Sequence, residues 1–472
     1  MKKKNSNIPS GNKGLSRRDF LGNSVKAALG TSIALGFPSI VPSSVFGKLA
    51  PSNRINIGAI GTGRISRIHD LPGVWRHDFA QVMAVCDLDT IRAEEGKKLV
   101  NNYYTKRDGK PFDGVKVYHD YHELLSNKDI DAVLISTPDH THALIGVAAA
   151  KAGKHIYMQK PASLTIAEGR VISNVVQKSG VKFQIGSQQR SAEQFRYGAE
   201  LVRNGRIGKL KTVYVGLPGD PPGGNKTEMS VPSNLNYDMW LASTPHVYYT
   251  EERVHPQKGY GRPGWLRCEQ FGAGMITGWG AHHIDSAHWG MGMEKTGPVE
   301  ISCDKVEFAN NGLWDVHGIF TSEAIYADGV KMIVSNEFPN GIKFEGTEGW
   351  LFVSRGDYQV TSSDGNSGTT QAKKIDASDP KILTSVIAPN EFHFTVSTNH
   401  HGNWLESIRD NKATIAPVEE AHRACSACLL HHIAMKLKRK IYWDPAKEVF
   451  KNDPEATKML SRSQRGKYAI HA

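Results

Sequence analysis

Four stretches of this 472-residue chain carry residue types whose spacing could do chemistry. The first runs Ile55-Asn-Ile-Gly-Ala-Ile-Gly61-Thr-Gly63-Arg64-Ile65. An apolar run ending in Gly-x-Gly reads as strand, tight turn and helix N-terminus. Glycines let a backbone approach a pyrophosphate, and the helix N-terminus offers free N–H groups and the positive end of a dipole. A second apolar run, 81–86, ends in Asp87, 26 positions after Gly61. An acid there accepts hydrogen bonds from an adenosine ribose and disfavours a 2′-phosphate, so NAD is expected rather than NADP. Ser66 stands where the full fingerprint has its third glycine, so helix and strand are expected to pack less closely.

The other three stretches place polar groups near that ligand. Asp131-Ala-Val-Leu-Ile-Ser136 reads as a fully buried strand, broken by Thr137-Pro138. Ligands of such sheets sit at the carboxyl ends of strands, which brings Thr137, Pro138, Asp139, His140 and His142 to the cofactor. His155-Ile-Tyr-Met-Gln159-Lys160-Pro161 carries a lysine at the same edge. The proline forces an extended backbone at Lys160. Beside a positively charged nicotinamide its pKa is pushed down, and its ammonium can hydrogen-bond a substrate hydroxyl. The last stretch is Gly278-Trp279-Gly280-Ala281-His282-His283-Ile284-Asp285. A histidine is the natural base for a hydroxyl proton as hydride leaves the same carbon.

The elements that must position these groups can be read from pattern. Apolar runs at 55–60, 81–86, 115–118, 131–136, 155–158 and 182–186 alternate with helical stretches, which implies a doubly wound parallel α/β sheet. After residue 190 the texture changes. A helix is expected over 192–203, then β-rich segments at 210–216, 299–308, 317–338 and 341–354. Few helices separate them, so a mainly antiparallel sheet in an α+β domain is expected. Residues 362–373 read as a mobile loop. A helical segment near 400–439 and a polar tail close the chain. The expected division is a leader over 1–50, a nucleotide-binding Rossmann domain over 51–187 and a substrate and oligomerisation domain over 188–472.

The leader opens with Lys2-Lys3-Lys4 and Ser16-Arg17-Arg18-Asp19-Phe20-Leu21, followed by a weakly apolar stretch interrupted by Gly30, Gly36, Pro38 and Pro42. This is the layout of a twin-arginine export signal, so the export machinery is an expected partner and the expected location is periplasmic or otherwise extracytoplasmic. That route carries folded proteins, and free NAD should be scarce at its far side. A retained cofactor, recycled in place, is therefore expected. The leader holds eight Lys/Arg and one acid, so most of the chain's net charge of +11 lies there. The high isoelectric point is no argument for nucleic acid. Five cysteines, at 86, 268, 303, 425 and 428, do not make a disulfide framework, and Cys425-x-x-Cys428 reads as two buried core thiols. Histidines 140, 142, 282, 283 and 288 match no zinc spacing, and no metal is assigned.

Together these residues resemble the Gfo/Idh/MocA oxidoreductase family, named for glucose–fructose oxidoreductase and inositol dehydrogenase. The marks are Gly61-x-Gly63 with Asp87, Thr137-Pro-Asp-His-Thr-His142, Lys160-Pro161, Gly280-x-His282-x-x-Asp285 and Gly346-Thr-Glu-Gly349-Trp350. Trp443-Asp-Pro445 resembles the exported sugar-active branch. The resemblance implies a sugar or glycoside substrate, hydride transfer to nicotinamide, and a homo-oligomer, dimer or tetramer, built on the open face of the second sheet. It implies Lys160 on the reacting hydroxyl and His282 as acid/base. Two positions depart from the family pattern. Gln159 stands where a glutamate is usual, and Gly278 where an aspartate often precedes the histidine; Asp285, one turn on, is the expected substitute partner of His282.

The candidate sets are then Lys160, His282 and Asp285 for catalysis, with Lys160, Trp265, Arg267, Trp279, His282 and His283 at the sugar. The cofactor set is Gly61, Gly63, Arg64, Ile65, Asp87, Thr137, Pro138, His140, His142, Gln159, Lys160 and Gln188. Three functions fit them: a sugar or glycoside dehydrogenase giving a keto sugar such as the 3-keto product, a redox-neutral NAD-dependent glycoside hydrolase, and a non-catalytic protein binding sugar and NAD.

Overall fold

All six expected strands of the first half form, each within one residue of its expected ends. The computed structural model describes residues 54–356 and 373–470. The expected export leader lies outside these residues, as does the expected loop but for Lys373. Strands β1 (Ile55–Ile60), β2 (Ala80–Cys86), β3 (Lys116–Tyr118), β4 (Ala132–Ile135), β5 (His155–Met158) and β6 (Phe183–Ile185) pair in parallel. Their order is β3-β2-β1-β4-β5-β6. The order reverses between β1 and β4, which opens a crevice at their carboxyl ends. Helices cover both faces, so these strands are continuous apolar runs rather than alternating ones.

Local chemistry fixes the helices. Helix α1 (Thr90–Asp108) starts because Asp89 Oδ1 accepts from the N–H groups of Ile91 and Arg92. Helix α2 (Asp139–Lys151) starts after Pro138. Helix α3 (Ile166–Ser179) is capped by Thr165 and closed by Gly180 at φ +70°. Helix α4 (Glu193–Arg203) falls where expected.

The second sheet has nine strands: β7 (Leu210–Gly216), β8 (Glu300–Phe308), β9 (His317–Ile325), β10 (Lys331–Ser335), β11 (Gly341–Gly346), β12 (Trp350–Val353), β13 (Ile375–Ala377), β14 (Ile441–Asp444) and β15 (Val449–Phe450). Every pairing is antiparallel except β7 with β10. The segment 317–338 is two strands, turned at Asp328-Gly329, where Gly329 takes φ +85°. Helices α5 (Gly280–Met291) and α7 (Val418–Leu437) lie on this sheet. His288 of α5 meets the Tyr326 hydroxyl at 2.7 Å, and His431 of α7 meets Ser322 Oγ at 2.8 Å. Cys425 and Cys428 are buried free thiols of α7, as the apolar setting implied.

The final quarter of the chain returns to the first sheet. Helix α6 (His400–Arg409) buries Trp404 completely, in one cluster with Ile57, Val82 and Leu134. Gln184 of β6 donates to the His400 carbonyl at 2.6 Å. Arg170 of α3 bridges Glu419 of α7 and Glu448, both at 2.7 Å. The expected polar tail is tied down as well: Arg462 donates to Glu168 at 2.8 Å and to the His140 carbonyl at 3.1 Å.

Candidate active site

Gly61 takes φ +85°, and a Cβ there would stand 2.6 Å from the Ser136 carbonyl oxygen. Only glycine fits so close to the switch point of the sheet. Thr62 is fully buried and holds the turn on its neighbours. Its N–H donates to Asp87 Oδ2 at 2.8 Å, and its hydroxyl lies 2.9 Å from the Arg92 carbonyl. Asp87 Oδ1 accepts from the Asp89 N–H at 3.0 Å. The glycine turn and the acid 26 residues on are therefore one rigid unit. Each carboxylate oxygen keeps further acceptor capacity for a ribose hydroxyl.

Past Gly63 the chain makes a π-helical turn, Ser66–Asp70, before a short helix Leu71–Trp75. The expected helix start forms at Arg64, where the Arg67 N–H donates to the Gly63 carbonyl at 3.1 Å, and the π-turn interrupts it two residues on. Asp70 explains the wide turn, since its side chain is drawn inward and fully buried. It accepts from Ser136 Oγ at 2.6 Å and Gln159 Nε2 at 2.8 Å, and lies 3.0 Å from His401 Nε2. Single π-turns of this kind cluster at functional sites. The carboxylate missing at position 159 is thus present one hydrogen bond away.

One cleft collects most of the expected cofactor residues. Gly61, Gly63, Arg64, Ile65 and Asp87 line one side, and Thr137, Pro138, Gln159 and Lys160 the other. Trp265 also lines it, with Leu266, Met239, Trp240 and Tyr468. The peptide Lys160–Pro161 is cis. Lys160 Nζ donates to the Gly278 carbonyl at 2.8 Å, which joins the cofactor edge to the Gly/Trp/His segment. Asp139, 2% exposed, faces the same cleft. Burial raises its carboxyl to about 8, although the Lys160 ammonium pulls it down.

His282 is buried at the start of α5 and its Nδ1 finds no hydrogen-bond partner among the described residues. Burial first, then the charges of Arg355 and Lys160, holds its pKa well below the ordinary histidine range. It is therefore neutral and has a lone pair for a proton. His282 does not line the cleft; Lys160, through Gly278, is the link between them.

Several expected site residues are structural. Asp285 is not the partner of His282: Arg190 takes its carboxylate through Nε at 2.8 Å and Nη2 at 2.6 Å, with both side chains 1% exposed. Arg190 also pairs with Glu420. Arg267 does not line the cleft but sits on buried Asp220, Nε to Oδ1 3.5 Å, and stacks on Trp314. His283 is held by Asn340 Oδ1 at 2.7 Å and packs on Phe195; burial takes it to about 3. Trp279 is buried against His282, His283 and Arg355. His140 does not line the cleft; its Nε2 lies 2.7 Å from the Trp240 carbonyl and its ring packs against Phe271. His142 staples two loops, with Nδ1 2.7 Å from the Pro161 carbonyl and Nε2 2.8 Å from that of Thr137. A neutral imidazole donates to one of these at a time. Gln188 starts the 3₁₀ turn after β6 and does not line the cleft.

Sequence reasoning missed Asp70, Arg92, His255 and Tyr468. Asp139 stands in the Thr137–His142 motif, and that motif was the available signal. The others come from positions with no local pattern.

The chain matches the family model described as "Oxidoreductase family, NAD-binding Rossmann fold" over residues 55–187. It matches the companion model, "Oxidoreductase family, C-terminal alpha/beta domain", over 222–470. It is 33% identical to the myo-inositol 2-dehydrogenase of Thermotoga maritima over 171 residues, 36% of this chain and 47% of that protein. It is 33% identical to "Glycosyl hydrolase family 109 protein 2" of Shewanella sp. (strain ANA-3) over 167 residues, 33% of this chain and 35% of that protein. The chain thus spans less than half the length of either curated relative. The fold is similar to that of the WlbA dehydrogenase from Bordetella pertussis, solved with NADH and UDP-GlcNAcA. The TM-score is 0.57 at 15% identity, over 83% of this chain and 99% of that one.

Proposed function

We propose, since this chain belongs to the Gfo/Idh/MocA oxidoreductase family, that it is an NAD-dependent oxidoreductase acting on a sugar or glycoside. In this reading the glycine turn and Asp87 would hold NAD, which would supply the hydride acceptor for a ring carbinol, and the product would be a keto sugar such as the 3-keto sugar. The observation that carries the reading is Lys160, which lines the nucleotide cleft and is joined through the Gly278 carbonyl to the segment holding His282. Lys160 would donate to the reacting hydroxyl and fix the carbinol. Neutral His282 would take the hydroxyl proton. Trp265 gives the cleft an aromatic wall on which the apolar face of a pyranose can lie.

The export leader supports a periplasmic or otherwise extracytoplasmic site of action, with NAD held tightly and recycled in place. A dimer or tetramer on the face of the nine-stranded sheet turned away from α5 and α7 belongs to the same proposal, by likeness to the family.

A second reading is favoured by the likeness to the glycosyl hydrolase family 109 protein. In it, bound NAD would supply a transient hydride acceptor: oxidation of the carbinol would acidify the adjacent C–H, the glycosidic group would be eliminated, water would add, and hydride would be given back, so that no net redox change results. The test is the absorbance spectrum of the purified protein before and after a panel of glycosides, with products read by mass spectrometry. Reduced nicotinamide together with a product lighter by two hydrogens supports the dehydrogenase. Cleaved glycoside without lasting reduced cofactor moves the assignment to the hydrolase. Failure of the protein to take up NAD would overturn both.

A further inference from the structure

We propose that residues 254–262, with Arg92 of α1, form a clasp over the adenosine end of the cofactor site and set how slowly the cofactor leaves. The inference rests on the proposed retention of NAD and assigns that retention to named contacts.

Asp87 marks the ribose end of the cleft, and the residues after it meet a segment from the second half of the chain. Thr90 N–H donates to the Asn234 carbonyl at 2.9 Å, and Asn236 N–H to the Leu88 carbonyl at 3.0 Å. Asp89, 2% exposed, caps α1 with one oxygen and holds His255 Nε2 at 3.0 Å with the other. Burial opposes ionisation of Asp89, yet hydrogen bonds from His255 and Asn234 outweigh it and bring its pKa to about 2. Asp89 is therefore a charged carboxylate at neutral pH.

Arg92 is the second anchor. It is 8% exposed, and its Nη2 donates to the carbonyls of Pro256 at 2.7 Å and Gly259 at 3.1 Å. Its guanidinium lies 4.7 Å from the Tyr260 ring centre, and that of Arg67 lies 4.1 Å from the same ring. The Tyr260 hydroxyl is hydrogen-bonded to Glu95 of α1. Arg92, His255, Gly261 and Arg262 line the same cleft as Asp87.

These contacts give the adenosine end a wall built from two distant parts of the chain. A dinucleotide whose ribose meets Asp87 has that wall beside its adenosine. The anchors are backbone carbonyls, one contact between a carboxylate and a histidine ring, and one tyrosine ring met by two guanidiniums, so each can be removed singly without emptying a core position.

The experiment loads the full-length protein with NADH, adds excess unlabelled NAD and follows the loss of bound-NADH fluorescence. Tyr260→Ala removes the ring that both guanidiniums face. Release roughly tenfold faster is expected, the change that loss of two partly buried cation–π contacts implies. Tyr260→Phe keeps the ring and should restore slow release. His255→Gln breaks the Asp89 pair independently and should also speed release. Reduced nicotinamide mononucleotide, which lacks adenosine, should bind all four proteins alike. Unchanged NADH release in Tyr260→Ala and His255→Gln, or equal weakening of the mononucleotide, would overturn the clasp. Slow, clasp-dependent release in a protein that turns over no sugar would sink the oxidoreductase reading and leave the clasp standing.

Discussion

Gln159 donates its side-chain amide to Asp70 across 2.8 Å, and Asp70 is fully buried beneath the cofactor cleft. Gln159→Glu would set a second carboxylate against the first. The introduced group would have a raised pKa in the folded state, so the folded protein would bind the extra proton. The loss of stability is therefore present at high pH and eases as pH falls through that raised value. We expect a cost of about 1–3 kcal/mol at pH 8, smaller at pH 5, read from urea midpoints. An equal cost at both would show that charge is not its origin.

Asp285 belongs to a buried ion pair rather than to catalysis. Removing Asp285 leaves the buried Arg190 guanidinium with Glu420 alone, and losing one partner of a buried pair costs up to about 3–5 kcal/mol. Asp285→Ala should therefore lower the urea midpoint sharply. NADH affinity of the fraction that remains folded should be unchanged. A stable variant with lost turnover would return Asp285 to the active site.

Acid should unfold this protein early. Burial depresses His140, His283, His288, His317, His400 and His431 to about 3 and His142 to about 4. Each is neutral when folded, while the unfolded chain binds the proton near pH 6.5. Their stability is complete above that pH and falls as pH drops toward their folded values. Asp139, raised to about 8, and Asp220, raised to about 6, act in the opposite direction, but they are outnumbered. The urea midpoint should ease slightly from pH 7 to 8, where Asp139 gives up its proton, and decline steadily below 6.5, with several protons taken up on unfolding at pH 5. A level midpoint down to pH 5 would contradict the buried neutral histidines.

Lys160→Met should spare the cofactor and remove the chemistry. Glycine turn and Asp87 are untouched, so NADH affinity should stay within about threefold. The rate of sugar oxidation should fall about 10²–10⁴-fold. Loss of NADH binding in step with activity would make Lys160 a cofactor anchor instead.

Gly61→Ala tests the opposite arm. The left-handed backbone and the Ser136 carbonyl leave no room for a methyl group. NADH binding should be lost, and stability should drop by more than about 1 kcal/mol. Fluorescence titration and thermal melting check the two parts.

The first sheet was legible because burial on both faces writes continuous apolar runs, and Gly61, Thr137 and Pro138 punctuate them. Lys160 and Asp87 were legible for the same reason: the end of a strand fixes where the next side chains stand. Roles set by distant partners were not. Asp285 reads as a turn-mate of His282, yet Arg190 holds it from 95 positions away. Arg267 stands in a Trp-rich segment that suggests sugar, yet buried Asp220 claims it. Asp70 reads as an ordinary helical acid, because its partner His401 is 331 residues on. No local period encodes such pairs.

Trp404 sits at the heart of the nucleotide sheet although nearly half the chain separates it from the last strand of that sheet. A ribosome that has just completed β6 has therefore made all six strands of the sheet while part of one apolar face still lacks its cover. The nucleotide fold can close only after α6 emerges, when nearly the whole polypeptide has been synthesised. Synthesis order and assembly order are decoupled, and a fragment ending near residue 187 should be captured by chaperones or precipitate rather than bind nucleotide.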